Sequence, residues 1–242
     1  MSRPRERFEG AIAGVGTAEG TRVVLGSWRR SPFGTGAAGA FTDAMVERAD
    51  GHRLLLAPTS EVAEYVSGVY RFDEVRVVDV RLTTPPVRTG AVWEVSAGPL
   101  QLRLVVGRRT PLGWLLRAVP GPLAASPAWA TAVDPVARRV LKGVSTRGSA
   151  GGGRREYYGA RDVRSLTGAR TTWDGQDLGP LAPVLPPVRF GFGSTPPAPS
   201  LVRVVSTVEA AASPSPPVPV PHPGPPVAVK EAPASRKRAS SG

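Results

Sequence analysis

Met45-Val46-Glu47-Arg48-Ala49-Asp50-Gly51-His52-Arg53-Leu54-Leu55-Leu56-Ala57 decides how this chain is read. Two short apolar segments flank Asp50-Gly51, a dipeptide that accepts the positive φ of a type I′ turn, so the stretch predicts a β-hairpin with strands at Met45 to Glu47 and Arg53 to Ala57. Asp174-Gly175, after Ala169 to Trp173, predicts a second hairpin. Further strands are expected wherever apolar residues recur every second position. Leu100, Leu102, Leu104 and Val106 alternate in this way, Val75 to Leu82 reads as one strand, and Phe190 with Phe192 and Leu201 to Val208 supply two more.

Helical signals are fewer. Thr59 or Ser60 caps a segment in which Val62, Tyr65, Val66 and Val69 fall on one helical face, with Glu61 and Glu64 near its positive end. The stretch 110–141 is apolar but carries Pro111, Pro120, Pro122, Pro127 and Pro135, which break a long helix into short ones at Leu112 to Ala118, Pro127 to Val133 and Pro135 to Leu141. Strands and helices do not alternate strictly enough for a parallel α/β sheet. The expected class is α+β and β-rich: a mostly antiparallel sheet curled into a barrel or sandwich with a few short helices.

The expected organisation is a flexible start over residues 1–7, one globular domain over 8–208 and a Pro/Ala/Ser-rich basic tail over 209–242. The tail runs through Ser-Pro-Ser-Pro-Pro-Val-Pro-Val-Pro, a composition that cannot pack a core, and carries Arg236-Lys237-Arg238 near its end. The chain has 31 basic and 19 acidic residues and a net charge of +12. The tail contributes four positive and two negative charges, so the globular part keeps +10. All but Lys142, Lys230 and Lys237 of the basic residues are arginine, a bias that GC-rich coding produces, which weakens the charge as a pointer to phosphate.

There is no cysteine, and the histidines are His52 and His222 alone. Thiolate nucleophiles, thiolate metal sites and disulfides are thereby excluded, and a reducing cytoplasm is the expected compartment. The start, MSRPRERFEG, has no apolar signal-peptide core, and no apolar run approaches membrane-spanning length. His52 beside a hairpin turn is expected to be exposed. Lys142, the one lysine of the globular part, sits at a predicted helix C-terminus, where a cation is favoured without any catalytic role.

Several motifs suggest chemistry and fall short of it. Gly14-Val15-Gly16-Thr17-Ala18-Glu19-Gly20 has the wrong spacing for a dinucleotide loop and runs into a strand, so it reads as a glycine-rich connection. No P-loop, nucleophile elbow or metal-ligand spacing occurs, and no cofactor is called for. Arg189-Phe190-Gly191-Phe192-Gly193 matches an RNA-binding string only in part, and its phenylalanines read as core. Asp43, Glu47, Asp73, Glu74, Asp79, Glu94, Glu156, Asp162 and Asp174 mostly alternate with arginines, the pattern of a solvated face. An enzyme would need two such carboxylates close together in a deep pocket.

What remains is binding. Gly148-Ser149-Ala150-Gly151-Gly152-Gly153-Arg154-Arg155 reads as a flexible glycine loop whose backbone N–H groups and two arginines can cradle a phosphate or carboxylate. Tyr157 and Tyr158 beside it can stack on bases, and one of the two is expected to be buried instead. Trp114 and Trp129, from the proline-broken region, and Trp28 are expected to line the apolar part of a pocket; the alternative for Leu112 to Arg117 is a membrane-interfacial segment, or plain cover for one end of the barrel. The leading expectation is a non-enzymatic protein that takes an apolar molecule with an anionic end. The alternative is a binder of nucleic acid or anionic membrane through the arginines and the basic tail.

The strings FEGAIAGVGT (8–17), DGHRLLLAP (50–58), GRRTPLGWLLRAVP (107–120), GSAGGGRREYYGA (148–160) and PPVRFGFGSTP (186–196) together resemble conserved proteins of actinobacterial type, over most of residues 7–208. That resemblance implies no particular activity. Gly26-Ser27-Trp28 is similar to the Gly-x-Trp near the start of lipocalins, which implies a ligand-binding barrel, although the central helical region departs from a simple eight-stranded one.

Overall fold

The Asp50-Gly51 hairpin forms, with a different turn. β3 (Phe41–Glu47) and β4 (Arg53–Ala57) pair antiparallel with Glu47 opposite Arg53. Gly51 has φ +90°, but Asp50 does not enter the left-handed region. The Gly51 N–H donates to the Arg48 carbonyl at 2.9 Å, and the Arg48 N–H donates to the His52 carbonyl at 2.9 Å. That is a type I turn closed by a glycine bulge. Asp50 Oδ1 accepts from the His52 N–H at 2.8 Å, a local bond that competes with the left-handed alternative. The type I′ turn is found instead at Asp174-Gly175, φ +49° and +80°, between Trp173 and Gln176.

The computed structural model describes residues 5–33, 39–124, 126, 129, 131, 147–150, 154–191 and 195–209. The chain divides into two units, Met1–Ala212 and Ser213–Gly242, and every described residue belongs to the first. The remaining elements are β1 (Arg5–Thr17), β2 (Arg22–Arg30), α1 (Ser60–Val69), β5 (Glu74–Val77), β6 (Val80–Thr83), β7 (Val92–Ala97), β8 (Leu100–Arg109), α2 (Pro111–Ala118), α3 (Gly121–Ala124), β9 (Arg147–Ala150), β10 (Arg154–Trp173), β11 (Gln176–Asp177), β12 (Leu181–Ala182) and β13 (Ser200–Glu209). They build one curled sheet in the order β5-β4-β3-β2-β1-β13-β10-β8-β7-β6, with β9 and β11 on β10 and β12 on β1. Among the described residues the pairings are antiparallel except β4 with β5, which α1 connects as a crossover. The fold is the β-rich α+β class expected.

Both faces of the sheet are buried along β1 to β4, which explains the unbroken apolar runs Val23-Val24-Leu25 and Leu54-Leu55-Leu56. One face, with Val15, Leu25, Val46, Leu56, Leu100 and Leu104, forms the core inside the curl. The other, with Phe8, Leu55, Ala57 and Val208, packs against Val62, Ala63 and Val66 of α1. β8 buries only one face, so its leucines alternate with exposed Gln101 and Arg103. Thr59 caps α1 as expected, its hydroxyl accepting the Val62 N–H at 3.2 Å.

Three expectations need correction. Val75 to Leu82 is two strands: β5 is an edge, with Val75 and Val77 exposed, and the chain then leaves at Val78-Asp79 to pair β6 with β7 at the other end of the sheet. Continuous alternation carries no mark of that departure. Phe190 is buried but lies in a bend, held by the Arg71 N–H on its carbonyl at 2.7 Å, and Phe192 lies outside the described residues. Part of the expected glycine loop is strand β9, paired so that Ala150 faces Arg154, while Gly151 to Gly153 lie outside the described residues. Of the helices expected after α2, Trp129 and Thr131 are helical, and Lys142 with most of that stretch also lies outside them.

Candidate functional site

Side-chain parity assembles the site. On the face beneath α1, period-2 alternation places Phe8 and Ile12 of β1, Val24, Gly26 and Trp28 of β2, Phe41, Asp43 and Met45 of β3, Glu156 and Tyr158 of β10, and Ser206 and Val208 of β13. α1 roofs them with Tyr65, Val66 and Val69, and Tyr70 follows at its end. A chamber of about 50 Å³ remains between roof and sheet, room for a few waters or a compact apolar group.

Asp43 is buried in its wall, and its Oδ1 accepts the Trp28 indole N–H at 3.2 Å. Burial pushes its carboxyl pKa up to about 7, against the opposing pull of the Trp28 bond and a backbone N–H. Gly26 lies directly opposite Asp43. A Cβ there would come to 2.5 Å from Asp43 Oδ1 and 2.8 Å from Trp28 Nε1. The Gly-x-Trp spacing thus has a local reason in this chain: glycine leaves the gap, and tryptophan two residues on, on the same face, supplies the donor.

Glu156 is buried on the same chamber and is far better satisfied. Ser206 Oγ donates to Oε1 at 2.7 Å and the Tyr70 hydroxyl to Oε2 at 2.9 Å, while Tyr158 bonds both Glu156 and the Tyr70 hydroxyl. Burial still raises the Glu156 pKa, with the three hydroxyl donors working in the other direction. The Tyr70 hydroxyl is driven well above its ordinary value by burial first and then by the adjacent Glu156 charge. Two buried acids therefore share one chamber, one saturated by hydroxyls and one with, among the described residues, the Trp28 indole as its side-chain donor.

Arg154 occupies the next position along the same face of β10. Its guanidinium stands 5.6 Å from the Tyr65 ring, and its Nη1 is buried without a hydrogen-bond partner among the described residues. Tyr65 is fixed by donating its hydroxyl to Glu6 at 2.6 Å. Arg155 and Tyr157 alternate to the opposite face, where Arg155 is exposed and the Tyr157 hydroxyl reaches Glu209 at 3.4 Å. The two arginines therefore do not converge.

No protein-family model and no curated protein matches the chain. A solved structure from Nitrosomonas europaea, provisionally described as AttH, aligns with 84% of this chain and 38% of its own at 10% identity and a TM-score of 0.25. This chain thus spans well under half the length of that protein. A likeness at this level supports no conclusion about either fold or activity.

The remaining expected site residues scatter. Trp28 lines the chamber. Trp114 does not: α2 lies on β10 through Gly113, where a Cβ would come within 2.2 Å of the Val163 carbonyl, so the following residue is turned outward. Trp129 is half-buried and donates its backbone N–H to Ser126 Oγ at 3.1 Å. His52 pairs with Glu74 at 3.2 Å, away from the chamber. Among the described residues no three His, Asp or Glu are grouped to hold a metal ion.

The carboxylates expected on a solvated face are the main correction. Asp43, Glu47, Glu156 and Asp162 are buried. Parity carried the signal: Asp43 shares its face with Phe41 and Met45, and Glu156 with Tyr158, whereas the flanking arginines belong to the other face or to strand ends.

Proposed function

We propose that the protein binds a small molecule with a compact apolar body and an anionic end, the body in the chamber beneath α1 and the anion at Arg154. The observation that carries this reading is the Arg154 Nη1, buried on the chamber's own face with no hydrogen-bond partner among the described residues. A buried guanidinium N–H without an acceptor is costly, and a carboxylate or phosphate oxygen is the acceptor it suits best. Glu156, two residues away, is taken by Ser206, Tyr70 and Tyr158 instead. Phe8, Trp28, Phe41, Met45, Val66 and Val69 supply the apolar contact, and Asp43 when protonated leaves the chamber uncharged on that side.

Titration with butyrate, hexanoate and octanoate tests the reading. Affinity is expected to rise with chain length until the chamber is full. Arg154→Ala weakens binding about tenfold or more, the loss of a charge-assisted pair, while Arg155→Ala stays within about twofold. Binding also weakens as the pH rises through about 7, because Asp43 then ionises beside an anionic ligand. Equal losses in the two arginine variants, or no dependence on chain length, would defeat the assignment.

A further inference from the structure

The outer face of α2 and α3 presents apolar side chains to solvent with nothing described covering them. Trp114 is 62% exposed, Leu115 66% and Leu123 44%. Arg109 stacks on the Trp114 ring at 4.4 Å and is itself tied to Asp162 by bonds of 2.8 and 3.1 Å, so the indole is held in place while pointing outward.

Beside this apolar face lies a cleft lined by Arg117, Arg161 and Arg203 with Leu116, Val119 and Gly121. The register of β10 explains the convergence. Ala160 pairs with Val204 and Asp162 with Arg203, leaving Arg161 as the extra residue of a bulge, which re-aims its side chain. Gly121 makes room for it, since a Cβ there would sit 2.1 Å from the Arg161 Nη2. Among the described residues none of these three arginines has an ion-pair partner. Arg203 is drawn below the ordinary arginine pKa by desolvation first and then by Arg29, Arg161 and Arg117, against the opposing pull of Asp162.

We infer that α2 and α3 form a docking surface for an anionic phospholipid bilayer, with Trp114, Leu115 and Leu123 entering the interface and Arg117, Arg161 and Arg203 meeting lipid phosphates. Charge complementarity chooses this occupant. Exposed apolar side chains alone suit any partner, but beside a cleft of three guanidinium groups that have no ion-pair partner among the described residues they suit a surface that is apolar beneath an anionic layer. The helices lie on such a surface rather than cross it; among the described residues no helix is long and apolar enough to span a membrane. The docking face shares no residue with the chamber, so either assignment can fail alone.

Co-sedimentation of the full chain with vesicles of phosphatidylcholine, and of equimolar phosphatidylcholine and phosphatidylglycerol, tests the inference, with the basic tail intact in every variant. The wild type is expected to bind the anionic vesicles and not the neutral ones, with a blue shift in tryptophan fluorescence. The pairs Trp114→Ser/Leu115→Ser and Arg117→Gln/Arg203→Gln each lower the partition coefficient about tenfold. Circular dichroism confirms that both fold, as exposed positions allow. Absence of binding overturns the inference, and so does binding that survives in both pairs. Duplex DNA that binds as strongly as the vesicles, with the Trp114/Leu115 pair unimpaired, would assign the arginines to nucleic acid instead.

Discussion

Asp43→Asn is expected to make the protein more stable at pH 8 by about 2–4 kcal/mol while leaving it nearly unchanged at pH 4. The folded carboxyl titrates at about 7, and in the unfolded chain it returns to its ordinary value near 3.8. Between those values the folded protein holds a proton that the unfolded chain releases. The wild type therefore loses stability as the pH climbs from about 4 to about 7 and levels off above, the opposite of a carboxylate held in an ion pair. The rise from 3.8 to about 7, at about 1.4 kcal/mol for each tenfold change in the proton equilibrium, sets the upper end of the range. Asparagine keeps an acceptor for the Trp28 indole and carries no charge to bury. Urea unfolding of both proteins at pH 4.5, 6 and 8 reads the difference. Parallel pH profiles would show that Asp43 is ionised in the fold and that the chamber is more polar than its lining suggests.

Glu47→Ala is expected to cost about 3–5 kcal/mol, because it strands a buried cation. Glu47 is fully buried and bridges two arginines. It meets Arg22 at 3.1 Å, whose side chain is only 5% exposed, and accepts the Arg189 backbone N–H at 2.8 Å and its Nε at 2.9 Å. Without the carboxylate, Arg22 stays in the core with no countercharge among the described residues, and among them its Nε already lacks a hydrogen-bond partner. The double variant Glu47→Leu/Arg22→Met is expected to recover most of the loss, since burying neither charge avoids both desolvation costs. Denaturant midpoints at pH 7 decide it. A loss below about 1 kcal/mol in Glu47→Ala would mean that water reaches the pair.

The parts of the fold legible in the sequence are those where period alone speaks. The leucines of β8, the capped helix α1 and the two glycine turns each announce themselves within about ten residues. Non-local choices do not. Nothing between Val75 and Leu82 shows that the chain abandons one edge of the sheet for the other, and nothing in Asp50-Gly51 shows that an Asp side chain will favour the bulged turn. Asp43 and Glu156 were readable only by assigning each strand residue to a face; counted along the chain they look like solvent-facing charges among arginines. The same parity separates Arg154 from Arg155, which adjacency in sequence had joined. Trp114 resembles a lid residue until the contact of Gly113 with β10 fixes which side of α2 is inward.

Native mass spectrometry of the freshly purified full-length chain, compared with its denatured mass, tests the ligand chamber most directly. The expected result is a small extra mass on the native chain that disappears on denaturation and is missing from Arg154→Ala. A native mass equal to the denatured one, even with hexanoate in excess, would contradict it.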